Sequence, residues 1–146
     1  MTEKIIYRCP VTDSDFKKYY ELRWRILRKP WGQSKGSEVN ERDEDAFHIF
    51  AEKDDIVIGV GCIHEVEEGV GRIRFMGIDD DYQKQGIGKA IVKLLEEYAA
   101  KKNWNKVRLW ARENAINFYL RLNYKIIGDG ELLFGVIKHK IMEKEL

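Results

Sequence analysis

The run Gln83-Lys84-Gln85-Gly86-Ile87-Gly88-Lys89 decides the reading of this 146-residue chain, because the period of its apolar residues changes there. Before it, the stretch from Gly71 to Ile78 reads as a β-strand. After it, Ile87, Ala90, Ile91, Leu94, Leu95, Tyr98 and Ala99 step by three and four, the spacing of an amphipathic helix. A glycine-bearing turn therefore joins a strand to a helix N-terminus. Unpartnered N–H groups and the positive end of the helix dipole converge at such an end, and glycine lets the backbone close on an anion with no Cβ between them. The run reads as a diphosphate cradle; the plainer alternative is that Gly86 and Gly88 serve only the turn. Two other phosphate patterns are excluded. G-x-x-x-x-G-K-[ST] is missing, and position 91, where a dinucleotide fingerprint wants a third Gly or Ala, is Ile91.

Upstream, Thr12-Asp13-Ser14-Asp15 followed by Phe16, Tyr19, Tyr20 and Leu27 predicts a capped amphipathic helix that Pro30 ends. Residues 31–45 are polar and glycine-containing and predict a long loop, or a loop with a short helix. Strands are expected over 46–51 and 56–63, in a hairpin turning at Lys53-Asp54-Asp55, with the Glu67-Glu68-Gly69 turn leading to the 71–78 strand. Downstream come a strand at Lys106–Ala111, a short helix from Asn114 (its expected cap) to Leu122, and strands at 124–127 and 132–142 separated by Gly128-Asp129-Gly130. The expected order is β-α-β-β-β-α-β-α-β-β, in one domain over residues 1–146.

Composition narrows the function classes. Net charge is +1, with Lys and Arg interspersed among Asp and Glu, which argues against nucleic acid. No signal-like or membrane-spanning apolar run is seen, so no membrane partner is expected and the cytoplasm is the expected location. Cys9 and Cys62 fit no metal or redox spacing, no metal is expected, and both read as small buried hydrophobes. A homodimer is the default assembly.

Gln83-x-x-Gly86-x-Gly88 resembles the pyrophosphate-binding motif of the GNAT acetyltransferases, and Asn114-Ala115-Ile116-Asn117-Phe118-Tyr119 resembles that family's later signature. The family's closing Gly-Phe is Asn123-Tyr124 here; Asn is the next-best residue for a left-handed helix cap. Gly128 to Met142, with His139, resembles a small subgroup in which an Arg of the first helix, here Arg23, and a His of the second strand, here His48, recur. The resemblance implies an α/β (α+β) fold with a mixed, mostly antiparallel sheet of about seven strands, splayed at the two central strands and flanked by about four helices. It also implies acetyl-CoA as cosubstrate and direct attack by a primary amine of a small molecule or peptide. Cofactor contacts would come from Met76, Ile78, Gln83, Gln85, Gly86, Ile87, Gly88, Lys89, Asn114 and Tyr119, with main-chain N–H groups near Met76 and Ile78 serving the oxyanion.

Tyr119 is the expected acid for the departing thiolate, or else a core residue at helical spacing with Phe118 and Leu122. For the base the sequence offers His48, Glu65, Glu113 and His139, and the resemblance adds a water chain as a further route; for His48 and His139 the favoured alternative is a satisfied histidine at a sheet face, and His64 carries less support. Acidic clusters at 41–45, 65–68 and 79–81 read as solvated loops, or, if they line the acceptor mouth, as a preference for cationic amines. Trp31 is the expected wall of that mouth. Two other classes compete: a non-catalytic acyl-CoA sensor and a fold-only interaction protein.

Overall fold

The computed structural model describes residues 4–146. Its elements are β1 (Ile6–Arg8), α1 (Asp13–Leu27), β2 (Phe47–Lys53), β3 (Ile56–Glu67), β4 (Val70–Ile78), α2 (Ile87–Lys101), β5 (Lys106–Arg112), α3 (Ile116–Arg121), β6 (Lys125–Asp129) and β7 (His139–Glu145). The order is the expected one, but among the described residues there are three α-helices and not four. Between α1 and β2 the chain forms only short 3-10 turns at Lys29–Trp31 and Glu41–Glu44, the first held by Pro30 and closed by Gly32 at φ 70°.

Local chemistry explains the boundaries. The Thr12 hydroxyl accepts from the Asp15 N–H while the Asp15 carboxylate accepts from the Thr12 N–H, so α1 opens on a capping box. Asp54 and Asp55 both lie at positive φ, as a tight two-residue hairpin turn between β2 and β3 requires. Asn123, at φ 73°, sits where the α3 end needs a left-handed residue, and the Tyr124 N–H reaches back to the Tyr119 carbonyl.

Three expectations need correction. The last strand begins at His139 and not at Leu132: Leu133 and Ile137 exchange two main-chain hydrogen bonds around Phe134 and Gly135, making a tight loop of its own. Gly128 and Asp129 belong to β6 and not to a turn, because they pair with Ile141 and Lys140 and a bulge absorbs Ile127. Asn114 does not cap α3. It lies in the 3-10 turn Glu113–Ala115, and Ala115 takes the cap position with no side-chain bond.

The strands form one sheet in the order β1-β2-β3-β4-β5-β7-β6, antiparallel throughout except for β4 beside β5. On one face α1 packs Tyr19 and Leu22 against Phe50, Val57 and Val60. On the other, α2 presses Ile87, Ile91, Val92 and Leu95 onto Ile58, Ile63, Ile73 and Leu109, each such side chain contributing about 1.5–3 kcal/mol by burial. Close approach of α2 depends on Gly61, where an added Cβ would lie 2.5 Å from Met76 Sδ and 2.8 Å from Ile91 Cγ2.

Beneath α1 lies a fully buried cation. Arg23 is 0% exposed; its guanidinium pairs with Asp43 at 2.9 Å, donates to the Glu38 carbonyl and the Tyr19 hydroxyl, and stacks on the Phe75 ring at 4.1 Å. Removing one partner of such a pair strands the other, so Arg23→Met should cost about 3–5 kcal/mol in urea unfolding. A loss below about 1 kcal/mol would mean that Asp43 finds water or another partner.

Candidate active site

The sheet opens at its centre. β4 and β5 pair only from Val70↔Lys106 to Ile73↔Leu109, although β4 continues to Ile78 and β5 to Arg112. Opposite Gly61, β4 carries two residues, Phe75 and Met76, where β3 carries one, so β4 bulges. Phe75 sits at φ 55°, a conformation that a bulky side chain adopts only at a cost of about 1–3 kcal/mol. The guanidinium of Arg23 on its ring, with those of Arg74 at 4.9 Å and Arg28 at 5.3 Å, holds it there.

The gap widens into a cleft of about 760 Å³. Its walls are the open edge of β4 from Arg72 to Ile78, the end of β5 from Leu109 to Arg112, the start of α2, the 3-10 turn with α3, and Glu131 to Leu133 of the β6–β7 loop. At one end Gly86, at φ 79°, delivers the chain into α2 with no side-chain cap. Ala90 is the first residue of this turn to donate back, to the Gly86 carbonyl, leaving the N–H groups of Ile87, Gly88 and Lys89 without intrahelical partners. A Cβ on Gly86 would meet nothing within 4 Å, whereas one on Gly88 would stand 3.2 Å from Phe118 Cζ. Gly86 is therefore called for by its left-handed backbone at the mouth of the cradle, while Gly88 lets α2 and α3 touch.

Of the residues singled out from the sequence, Met76, Ile78, Gln83, Gly86, Ile87, Gly88, Lys89, Asn114, Tyr119 and His139 line this cleft. Gln83 spends its amide on the Ile78 carbonyl at 2.8 Å, bracing the turn. Gln85 is exposed and outside the lining. Tyr119 is 6% exposed, its hydroxyl makes no hydrogen bond among the described residues, and burial raises its pKa well above the ordinary phenol value. His139 is half-buried with Nδ1 3.4 Å from the Glu131 carbonyl; burial, with Arg112 and Arg72 nearby, lowers its pKa from 6.5.

The structure does not bring His48, Glu65 or Glu113 to the cleft. His48 is buried beneath α1 with both ring nitrogens committed, Nδ1 at 2.7 Å to the Tyr19 hydroxyl and Nε2 at 2.8 Å to the Asp43 carbonyl. Glu65 accepts from the Gly69 N–H in the distant β3–β4 hairpin. Asp43, His48 and Cys62 offer ligand atoms within 4.8 Å of one another, but the Arg23 guanidinium already sits against two of them, 2.9 Å from Asp43 and 3.7 Å from Cys62 Sγ. Cys62 is buried as expected, whereas Cys9 is only half-buried against the core; burial pushes the Cys62 thiol up to about 11 and raises that of Cys9, which suits neither to attack.

The acidic clusters do not build a cationic-amine mouth either. Asp43 is spent on Arg23, Asp79 on Arg25, and Glu67 on Arg108. Among the described residues, Asp80 and Glu131 are the acids that line the cleft. Trp31 lies outside the lining and stands beside it through Arg112, whose guanidinium is 5.9 Å from its ring centre. What the sequence reading missed is the opposite charge: Arg28, Arg72, Arg74 and Arg112 face the same space. The alternation Arg72-x-Arg74 along a strand was the available signal, since two residues apart means one face.

A sheet parted between its two parallel strands, with a helix N-terminus at the mouth, fits the match found by comparison: the acetyltransferase (GNAT) family profile covers residues 16–124. The chain belongs to the GNAT acetyltransferase family. An uncharacterised N-acetyltransferase of Methanocaldococcus jannaschii is 30% identical over 132 residues, 79% of this chain and 58% of that protein. Among solved structures, an acyl-CoA N-acyltransferase of Pseudomonas aeruginosa superposes with a TM-score of 0.82 at 17% identity, covering 98% and 99% of the two chains. An N-acetyltransferase of Thermoplasma acidophilum in complex with coenzyme A gives 0.77 at 17% identity, covering 98% and 99%. At such identities the likeness speaks for the GNAT fold alone.

His48, bonded at both nitrogens and outside the cleft lining, should behave as a structural residue in this GNAT fold. His48→Ala is expected to lower unfolding free energy by about 1–3 kcal/mol and to leave the acetyl-transfer rate of the folded fraction unchanged. A lost rate at unchanged stability would return it to the catalytic set.

Proposed function

We propose that the chain moves an acetyl group from acetyl-CoA to a primary amine by direct attack in a ternary complex, as one catalytic domain. The observation that carries this reading is a single cleft holding an open strand edge, an uncapped helix N-terminus and a buried tyrosine. The cosubstrate fits the residues present. Gly86 leaves the space before α2 open, the N–H groups of Ile87, Gly88 and Lys89 can receive a diphosphate, and Lys84, Lys89 and Arg121 add positive charge around it. Asn114 and the unpaired β4 edge can hold an amide-bearing arm in the gap. The two free thiols suit a reducing compartment, and the cytoplasm is the location proposed.

In this reading His139 takes the proton of the amine. A histidine held below its ordinary pKa is neutral at pH 7 and has a lone pair to offer. The amine nitrogen bonds to the thioester carbon, and the main-chain N–H groups of the open 74–78 edge are the donors available to the charge that gathers on the carbonyl oxygen. The carbon–sulfur bond then breaks. Burial keeps Tyr119 protonated but makes it a reluctant acid, so its part is a hydrogen bond to the departing sulfur, with the thiol's proton supplied from solvent.

Three measurements test this. Gly86→Trp, whose Cβ meets nothing within 4 Å, puts a bulky ring at the cradle and should weaken acetyl-CoA binding in calorimetry by at least about tenfold, with the fold checked by circular dichroism because position 86 is left-handed; unaltered affinity would overturn the cofactor assignment. Tyr119→Phe, which deletes a hydrogen bond to a charged sulfur, should lower kcat by about 10- to 10²-fold while leaving acetyl-CoA affinity intact. In the ternary complex, kcat should fall as pH drops through a value below 6.5, and His139→Ala should remove that step; a step that persists would assign the base elsewhere.

A further inference from the structure

Four arginines gather at the end of the cleft away from α2: Arg28 just past α1, Arg72 and Arg74 on β4, and Arg112 on β5. Among the described residues none of them has a carboxylate within 4.0 Å, whereas Arg8, Arg23, Arg25, Arg42 and Arg108 all do. Arg28 donates only to the main-chain carbonyls of Ser37 and Leu27, with Glu38 the nearest acid to influence it. Arg72 lies 3.9 Å over the Trp110 ring, and its buried Nε has no partner at all. Arg74 and Arg112 make no side-chain hydrogen bond among the described residues.

Such crowding is unfavourable without a ligand. Burial lowers the pKa of Arg28, Arg74 and Arg112 and pushes that of Arg72 down to about 10, with repulsion from Arg112 and Arg74 adding to it at Arg28 and from Arg74 at Arg72. Aromatic rings hold the cations in place, Trp110 beneath Arg72, Phe75 beside Arg74 and Trp31 beside Arg112. Guanidinium groups held this way match the two oxygens of a carboxylate or phosphate. The cradle at α2 has its own cations in Lys84, Lys89 and Arg121, so this second cluster is not needed for a diphosphate there. It also adjoins the proposed base, because Arg112 and His139 are register partners across β5 and β7.

We infer that the acceptor is a small amine carrying its own oxyanion, a carboxylate or phosphate a few bonds from the nitrogen, held by Arg72, Arg74 and Arg112 so that the amine faces His139. This rests on the acetyl-transfer reading above. One cleft of about 760 Å³ must hold the reacting end of the acceptor together with the thioester arm, and an oxyanion a few bonds from the nitrogen fits that shared space.

Matched pairs decide it: glycine against glycinamide, β-alanine against its amide, phosphoethanolamine against ethanolamine, and spermidine as the polycation, each assayed by thiol release from acetyl-CoA. The anionic member of at least one pair should show a kcat/KM at least about tenfold higher than its neutral partner and than spermidine, and the pair that responds tells carboxylate from phosphate. Arg74→Gln and Arg112→Gln should each raise KM for that acceptor about tenfold and leave the calorimetric affinity for acetyl-CoA unchanged, with Arg74→Lys recovering part of the loss. Preference for the amide, for ethanolamine or for spermidine overturns the inference, as does an arginine variant that weakens acetyl-CoA binding and spares the acceptor. If acetyl-CoA binds but no amine is acetylated, titration of the CoA-loaded protein with the same anionic amines decides: saturable binding lost in the two variants supports the inference, and no binding overturns it. Failure to bind acetyl-CoA at all is a separate result that removes the transfer reading, and the inference with it.

Discussion

The parting of β4 from β5 is the constraint on which the rest of this molecule depends. Parallel pairing is the weaker kind per residue, and here it lasts only four residues before the strands diverge. Each strand keeps an antiparallel partner on its other side, β3 for β4 and β7 for β5, so neither is left unsupported when they separate. The bulge at Phe75 bends β4 away, and the N-terminus of α2 arrives where the gap opens. A fully zipped sheet of the same strands would have no interior place for a ligand.

Much of the frame was legible because it follows from short-range rules. The switch from alternating to three-and-four spacing at Gly86 located the one strand-to-helix turn that matters, and Asn123 was readable as a left-handed cap from its residue type alone. The end of the chain was harder. Leu132 to Ile137 is apolar enough to look like a strand, yet its backbone closes on itself, and a sequence pattern does not distinguish a self-paired loop from a paired edge. The bulge left no trace in composition either, because it is a mismatch in counting between two strands.

Side-chain partnership was the least legible level. His48 has the chemistry of a base, and only the positions of Tyr19 and Asp43 reveal that both its nitrogens are spent. The acidic clusters read as solvated loops, with a mouth for cationic amines as the alternative, and neither reading anticipated that Asp43, Glu67 and Asp79 pair with arginines from other elements. Those pairs join residues far apart in sequence, so charge counting along the chain saw a near-neutral protein where the fold concentrates unmatched positive charge in one place.

Arg23 links two properties that proteins often keep apart. The same guanidinium that ties α1 to the 38–43 segment also lies on the Phe75 ring that shapes the bulge, so rigidity beneath the helix and the form of the cleft share one residue. The β5 end and the 131–133 loop, by contrast, reach the cleft without touching that cation. Divergence among related chains thus has an open route and a closed one: the acceptor side can drift through Arg112 and its neighbours, while the α1 side is held to its present chemistry by the stability it carries.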